Sequence, residues 1–226
     1  MMTRILTLGC LLTMASGLAS ATATVYLGIC GTGFTDTSTS STLCTTQGAD
    51  GSTIDANWTL TGGTGIANIT DPFSTWVANS TSAKWIAPSP NETAGSNGVG
   101  PFDYTETFTI TAGEDLTTAL ITGSWASDNG SVLTLNGNVI GTLSGTGTFL
   151  SLTSFTINTP SDFLVGLNTL EVAVVNQSAT PSGMIMGITT EDINLISAST
   201  PEPATFALMG LGLVGLGVAR RRLAKR

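Results

Sequence analysis

Three pairs of closely spaced carboxylates are the first residues of this chain that could do acid–base chemistry: Asp103 with Glu106, Glu114 with Asp115, and Glu191 with Asp192. Two carboxylates can cleave a glycosidic bond when one holds a proton and the other attacks or activates water, at a separation of about 5 to 9.5 Å. Adjacent residues of a strand point to opposite faces, so the second and third pairs do not converge if extended. The chain contains no histidine, which removes Ser-His-Asp catalysis, histidine metal sites and the commonest general acid–base. A non-enzyme without catalytic residues is the expectation, with a carboxylate-pair glycosidase as the remotest alternative.

Stacking is the second chemistry these residue types permit. Sugar rings lay their C–H faces on flat aromatics while amides and carboxylates take the hydroxyls. Trp58, Trp85 and Trp125 are candidates for the first role, and Asp128 and Asn129 for the second. Core burial competes for the tryptophans, above all for Trp125, which is in phase with Ile121 and Ala119. A turn explains Asp128 and Asn129 equally well.

Charge narrows the partners. Arg4 and the cluster Arg220, Arg221, Arg222, Lys225, Arg226 stand at the two ends, leaving Lys84 alone between them against fifteen acids, a formal charge of −14 with Glu202 of the Pro-Glu-Pro triplet included. Such a body repels nucleic acid and anionic membrane and attracts divalent cations. Calcium is permitted, but no D-x-[DN]-x-[DN]-G loop is present and its ligands would have to converge from separate strands.

Short strands must position these residues. Tyr104, Phe108 and Ile110 share one face while Thr105, Thr107 and Thr109 take the other, which is the pattern of a half-buried strand. Leu116 to Ala126, Val132 to Leu135, Val139 to Leu143, Phe155 to Ile157, Asn168 to Asn176 and Met184 to Thr190 continue the series. Asp128-Asn129-Gly130 and Asn136-Gly137 supply tight turns, because Asn and Gly tolerate positive φ. Before Gly100 the chain is rich in Thr, Ser, Gly and Asn, with apolar residues in short clusters and a loop from Thr35 to Thr46. The fold class expected for residues 24–199 is all-β, a sandwich or jelly roll.

The run from Gly123 to Gly137, followed by Leu164 to Asn176 and Pro181-Ser182-Gly183-Met184, resembles the galactose-binding-like β-sandwich family over roughly residues 104–190. That resemblance implies a jelly roll that often binds carbohydrate through loops at one end, sometimes with a structural calcium.

The two ends read as addresses. Arg4, the apolar run Ile5 to Leu18 and the small residues Ala19-Ser20-Ala21 and Ala21-Thr22-Ala23 have the layout of a secretory signal peptide over 1–23, to be removed by signal peptidase. Cys10 leaves with it, so the exported cysteines Cys30 and Cys44 are expected to pair, closing a loop worth about 3 kcal/mol. At the other end, Pro201-Glu202-Pro203 precedes sixteen uncharged residues, Ala204 to Ala219, and the basic tail. At 1.5 Å per residue those sixteen span about 24 Å, short of a hydrocarbon core of about 30 Å, so the expected transmembrane helix is a marginal one. The tail's arginines are expected to stay cytoplasmic. Gly210-Leu211-Gly212-Leu213-Val214-Gly215 satisfies G-x-G-x-x-G, yet no βαβ unit surrounds it and it is not read as a dinucleotide site.

Triplet, greasy segment and arginine cluster, in that order over residues 200–226, resemble the PEP-CTERM sorting signal. The resemblance implies processing by an exosortase near Pro201, Glu202 and Pro203, in Gram-negative bacteria that make extracellular polysaccharide. The functional expectation is an exported surface or matrix protein, held transiently in the inner membrane and associating with that polysaccharide. A structural or adhesive coat protein without glycan binding is the alternative, and an ice-binding protein a lesser one, since Thr105, Thr107 and Thr109 make too small an array.

Overall fold

The computed structural model describes residues 22–39, 42–92, 97–178, 180–196 and 203–224. Residues 1–21 of the expected signal peptide and the motif residues Pro201 and Glu202 lie outside them. Residues Thr22–Ile196 form one compact unit, and the C-terminal helix belongs to another.

Twelve strands run through the described residues of the larger unit: β1 (Thr24–Tyr26), β2 (Thr53–Ile54), β3 (Thr59–Thr61), β4 (Asn68–Ile69), β5 (Ile86–Ala87), β6 (Phe102–Ile110), β7 (Glu114–Asp128), β8 (Gly130–Leu135), β9 (Asn138–Leu143), β10 (Thr153–Ile157), β11 (Gly166–Val175) and β12 (Gly183–Leu195). They form two sheets. One has the order β10-β7-β12-β5-β4-β2 with β1 also on β12, and the other the order β3-β6-β11-β8-β9. This is the expected β-sandwich.

Alternation decides which face each strand buries. In β6 Phe102, Tyr104, Glu106, Phe108 and Ile110 are buried while Thr107 and Thr109 face solvent. The core between the sheets is completed by Leu133, Leu135, Leu170, Val172, Ile121 and Met186. Trp125 lies in it, edge-on to Phe155 at 5.7 Å, as its phase with Ile121 requires.

The two expected turns part company. Asn136 (φ 52°) and Gly137 (φ 81°) join the paired strands β8 and β9, and two consecutive positive φ values are what a two-residue hairpin needs. Asp128-Asn129-Gly130 makes no hairpin, because β7 pairs with β10 and β12 whereas β8 pairs with β11 and β9. That segment carries the chain from one sheet to the other.

Pairing also enlarges the threonine row on the outer face of the smaller sheet. Thr59 stands opposite Thr105, with the hydroxyls 2.7 Å apart, and Thr107 opposite Thr169. Asp103 and Glu171 stand among them in the same register, so the row is broken by charge.

The C-terminal helix runs over Pro203–Leu223, with Arg220, Arg221 and Arg222 in its last turn, where cations suit the helix dipole. Leu211, Leu213, Val214 and Leu216 are all exposed, so apolar residues face every direction. Among the described residues no helix is long and apolar enough to cross a membrane. The expected transmembrane helix is therefore described as a helix, not as a span.

Candidate functional site

A groove of about 570 Å3 opens where the segment after β1 crosses the edge of β12. Tyr26 and Leu43, 38% and 44% exposed, stand at its rim, and the Cys30–Cys44 bridge forms part of its wall. Thr45, Ser82, Thr189 and Thr190 contribute hydroxyls, and Asp192 contributes a carboxylate.

Strand pairing creates this juxtaposition. Tyr26 lies directly opposite Asp192 across the antiparallel β1–β12 pair, and such partners present their side chains on one face about 4.5 to 5.5 Å apart at Cβ. Thr24 continues the row and donates to Asn194 Oδ1 at 2.7 Å. Glu191, one residue earlier, turns to the other face and is buried.

Three buried carboxylates hold the groove's floor. The amide of Ile29 donates to Glu191 Oε2 at 2.6 Å, that of Cys30 to Glu106 Oε1 at 2.8 Å, and that of Gly33 to Asp55 Oδ2 at 2.5 Å. Ser38 Oγ donates to the second oxygen of Glu191, and the amides of Asn57 and Trp58 to that of Asp55. Of these carboxylate oxygens, only Glu106 Oε2 has no partner. Gly31 lies so close to β12 that a Cβ there would meet Met186 O at 2.8 Å. Segment 27–34 is thus laid on the sandwich by acceptors that reach up to its backbone.

Burial sets the protonation of these acids. It raises Glu106 well above the carboxylate range, aided by the nearby charges of Asp55 and Glu191. Asp55 is raised by burial against the pull of its backbone donors. Burial likewise lifts Glu191 to about 7, against hydrogen bonds from Ile29 and Ser38.

The calcium implied by the sequence resemblance finds no fit here. Asp55 and Glu191 already accept backbone N–H and hydroxyl donors on both oxygens. Among the described residues no three acidic, cysteine or histidine side chains could hold a metal.

The expected ligand residues lie elsewhere. Trp58 (2% exposed) is in the central core, where its Nε1 donates to Cys30 O at 3.2 Å. Trp85 (0%) packs on the opposite face of the larger sheet with Ala126 and Ile185, and its Nε1 donates to Val77 O at 2.7 Å. Neither ring keeps a face free for a sugar, which corrects the expectation for both. Asp128 is buried as well and accepts from Trp76 Nε1 at 2.8 Å, while Trp76 stacks on Trp85 with ring centres 4.2 Å apart. Burial raises the Asp128 carboxyl against that hydrogen bond. Asn129 is half-buried and donates to Asp128 Oδ1 at 2.8 Å. Trp85, Asp128 and Asn129 are therefore linked through Trp76 as a packed structural cluster, away from Trp58. The Cys30–Cys44 disulfide is present, with its Cα atoms 5.8 Å apart.

Residues 199–222 match the family model described as the PEP-CTERM protein-sorting motif. The chain is accordingly an exported protein carrying a sorting signal, with Pro201, Glu202, Pro203, Arg220, Arg221 and Arg222 all inside the matched segment. No curated protein matches the chain. Among solved structures it is similar to a family 35 carbohydrate-binding module from an environmental isolate, at 12% identity and a TM-score of 0.34, covering 66% of this chain and 96% of that one. A family 35 module from Cellvibrio japonicus gives 12% and 0.34, covering 64% and 96%. A third such module, solved with a disaccharide containing glucuronic acid, gives 13% and 0.32, covering 65% and 98%.

Proposed function

We propose that this is a non-enzymatic surface or matrix protein that binds extracellular polysaccharide in the groove beside the Cys30–Cys44 loop. Tyr26 supplies the stacking face, and Asp192 with the neighbouring threonine and serine hydroxyls takes the sugar hydroxyls. One observation carries the reading: an exposed aromatic stands opposite a carboxylate across a strand pair, at the rim of a groove of about 570 Å3. That volume falls within the usual range for ligand sites, about 300 to 1,000 Å3.

Delivery follows from the two ends. Signal peptidase removes the N-terminal segment, the C-terminal segment is held transiently at the inner membrane with its arginines on the cytoplasmic side, and an exosortase acts near Pro201-Glu202-Pro203. The body then reaches the cell surface or matrix of a Gram-negative bacterium. Titration of the chain with the producer's own polysaccharide tests the binding. Saturable binding supports it, and no binding across a panel of glycans overturns it.

One observation favours a coat protein without glycan binding. Leu164, Val165 and Leu167 are 50%, 58% and 64% exposed in neighbouring positions, which suits a protein contact. Self-association by analytical ultracentrifugation, lost in Val165→Ser and accompanied by no glycan binding, would establish that reading instead.

A further inference from the structure

We infer that the groove prefers glycans bearing free amines and rejects glycans bearing uronates, an inference that rests on the groove being the glycan site. The rim pairs an aromatic ring with a carboxylate, Tyr26 with Asp192. An ammonium laid over a tyrosine face is attracted by the ring, and a neighbouring carboxylate adds a charge-assisted hydrogen bond. A sugar amine can meet both at once.

An anionic sugar finds no counterpart. Between Thr22 and Ile196 the sequence has one basic side chain, Lys84. Its ammonium is engaged by Asp50 Oδ1 at 2.9 Å and Gly48 O at 2.8 Å. Backbone N–H groups are the usual substitute for a cation, but those of Ile29 and Cys30 along the groove are already taken by Glu191 and Glu106. The larger unit offers no helix N-terminus either, beyond the single turn Pro160–Asp162 among its described residues. A bound uronate would face Asp192 with no compensating charge, and like charges held together select against a partner.

Short oligomers of glucosamine, their N-acetylated counterparts, neutral glucan oligomers and uronate oligomers are titrated into the full chain by calorimetry at two salt concentrations. Acetylation keeps the ring but removes the amine's charge. The amine form should bind about five- to tenfold tighter than the acetylated form, with the margin shrinking at high salt. Asp192→Asn should erase that margin, and Tyr26→Ala should weaken the binding of every glycan. Glu171→Gln removes an equal charge on the other sheet and should leave the margin intact, which separates the groove from general attraction of amines to an acidic protein.

Equal binding of amine and acetylated forms, an amine margin that survives Asp192→Asn, or uronate binding as tight as neutral binding overturns the inference while leaving glycan binding standing. Binding of no glycan at all removes both.

Discussion

Raising the pH should destabilise this protein over a range in which most proteins are indifferent. Glu191 titrates at about 7 in the folded chain against 4.5 when unperturbed. The folded state therefore holds a proton that the unfolded state has lost between those values. The associated stability is fully present below pH 4.5 and disappears as pH rises through 7. Each tenfold difference in proton affinity between the folded and unfolded chain is worth about 1.4 kcal/mol, so Glu191 alone accounts for about 3 kcal/mol. In a protein of this size that corresponds to a fall in Tm of about 6 to 12 °C. Glu106, Asp55, Glu92 and Asp128 are raised too, chiefly by burial, and add in the same direction. Asp36, where hydrogen bonds from Thr45 and Thr46 outweigh burial, and Asp115, hydrogen-bonded by Thr117, run the opposite way, but their effect is confined to pH below about 4. Glu191→Gln mimics the protonated acid: its carbonyl accepts from Ile29 and its amide donates to Ser38. Thermal melts between pH 4.5 and 8 should show the wild type losing stability steadily and the variant losing about 3 kcal/mol less. A Tm that rises or stays level over that range, or an unchanged slope in Glu191→Gln, would refute the assignment of a protonated carboxyl beneath the groove.

Other outcomes follow from the same packing. Trp58→Ala and Trp85→Ala should each cost about 3 to 5 kcal/mol in chemical denaturation, because both rings fill the core and neither meets ligand. Removing the Cys30–Cys44 bridge with a double serine variant should cost about 3 kcal/mol, read from urea midpoints, and loosen the wall of the groove. Glu202→Ala, made in the producing cell, should leave the C-terminal segment attached, visible as an unprocessed mass by intact-protein mass spectrometry.

The sequence displays the second half of the domain well because its strands are long enough to alternate. In β6 and β8 every second residue is buried, and Asn136-Gly137 marks its own hairpin. The first half is harder to see, since β2, β4 and β5 have two residues each and no period can be read from two. Their burial is conferred by neighbours. Among Thr and Asn, Trp58 and Trp85 are open to a stacking or a core reading, and the segments folded over them seal both rings. In sequence the buried Glu106 is visible only as half of a carboxylate pair with Asp103. The two residues lie on opposite faces of β6, one in the core and one outside. Tyr26 and Asp192 carry no local signal of belonging together, because they come from the first and last strands of the unit and only the β1–β12 register joins them. Alternation in Thr24-Val25-Tyr26 is the one clue, over three residues.

Isothermal titration of the full chain and its Tyr26→Ala variant with amine-bearing and neutral oligosaccharides at neutral pH tests most directly whether the groove is a glycan site. Saturable one-to-one binding by the wild type, weakened about three- to tenfold in Tyr26→Ala with the melting curve unchanged, is the expected result. Equal binding by the two proteins, or none by either, would contradict it.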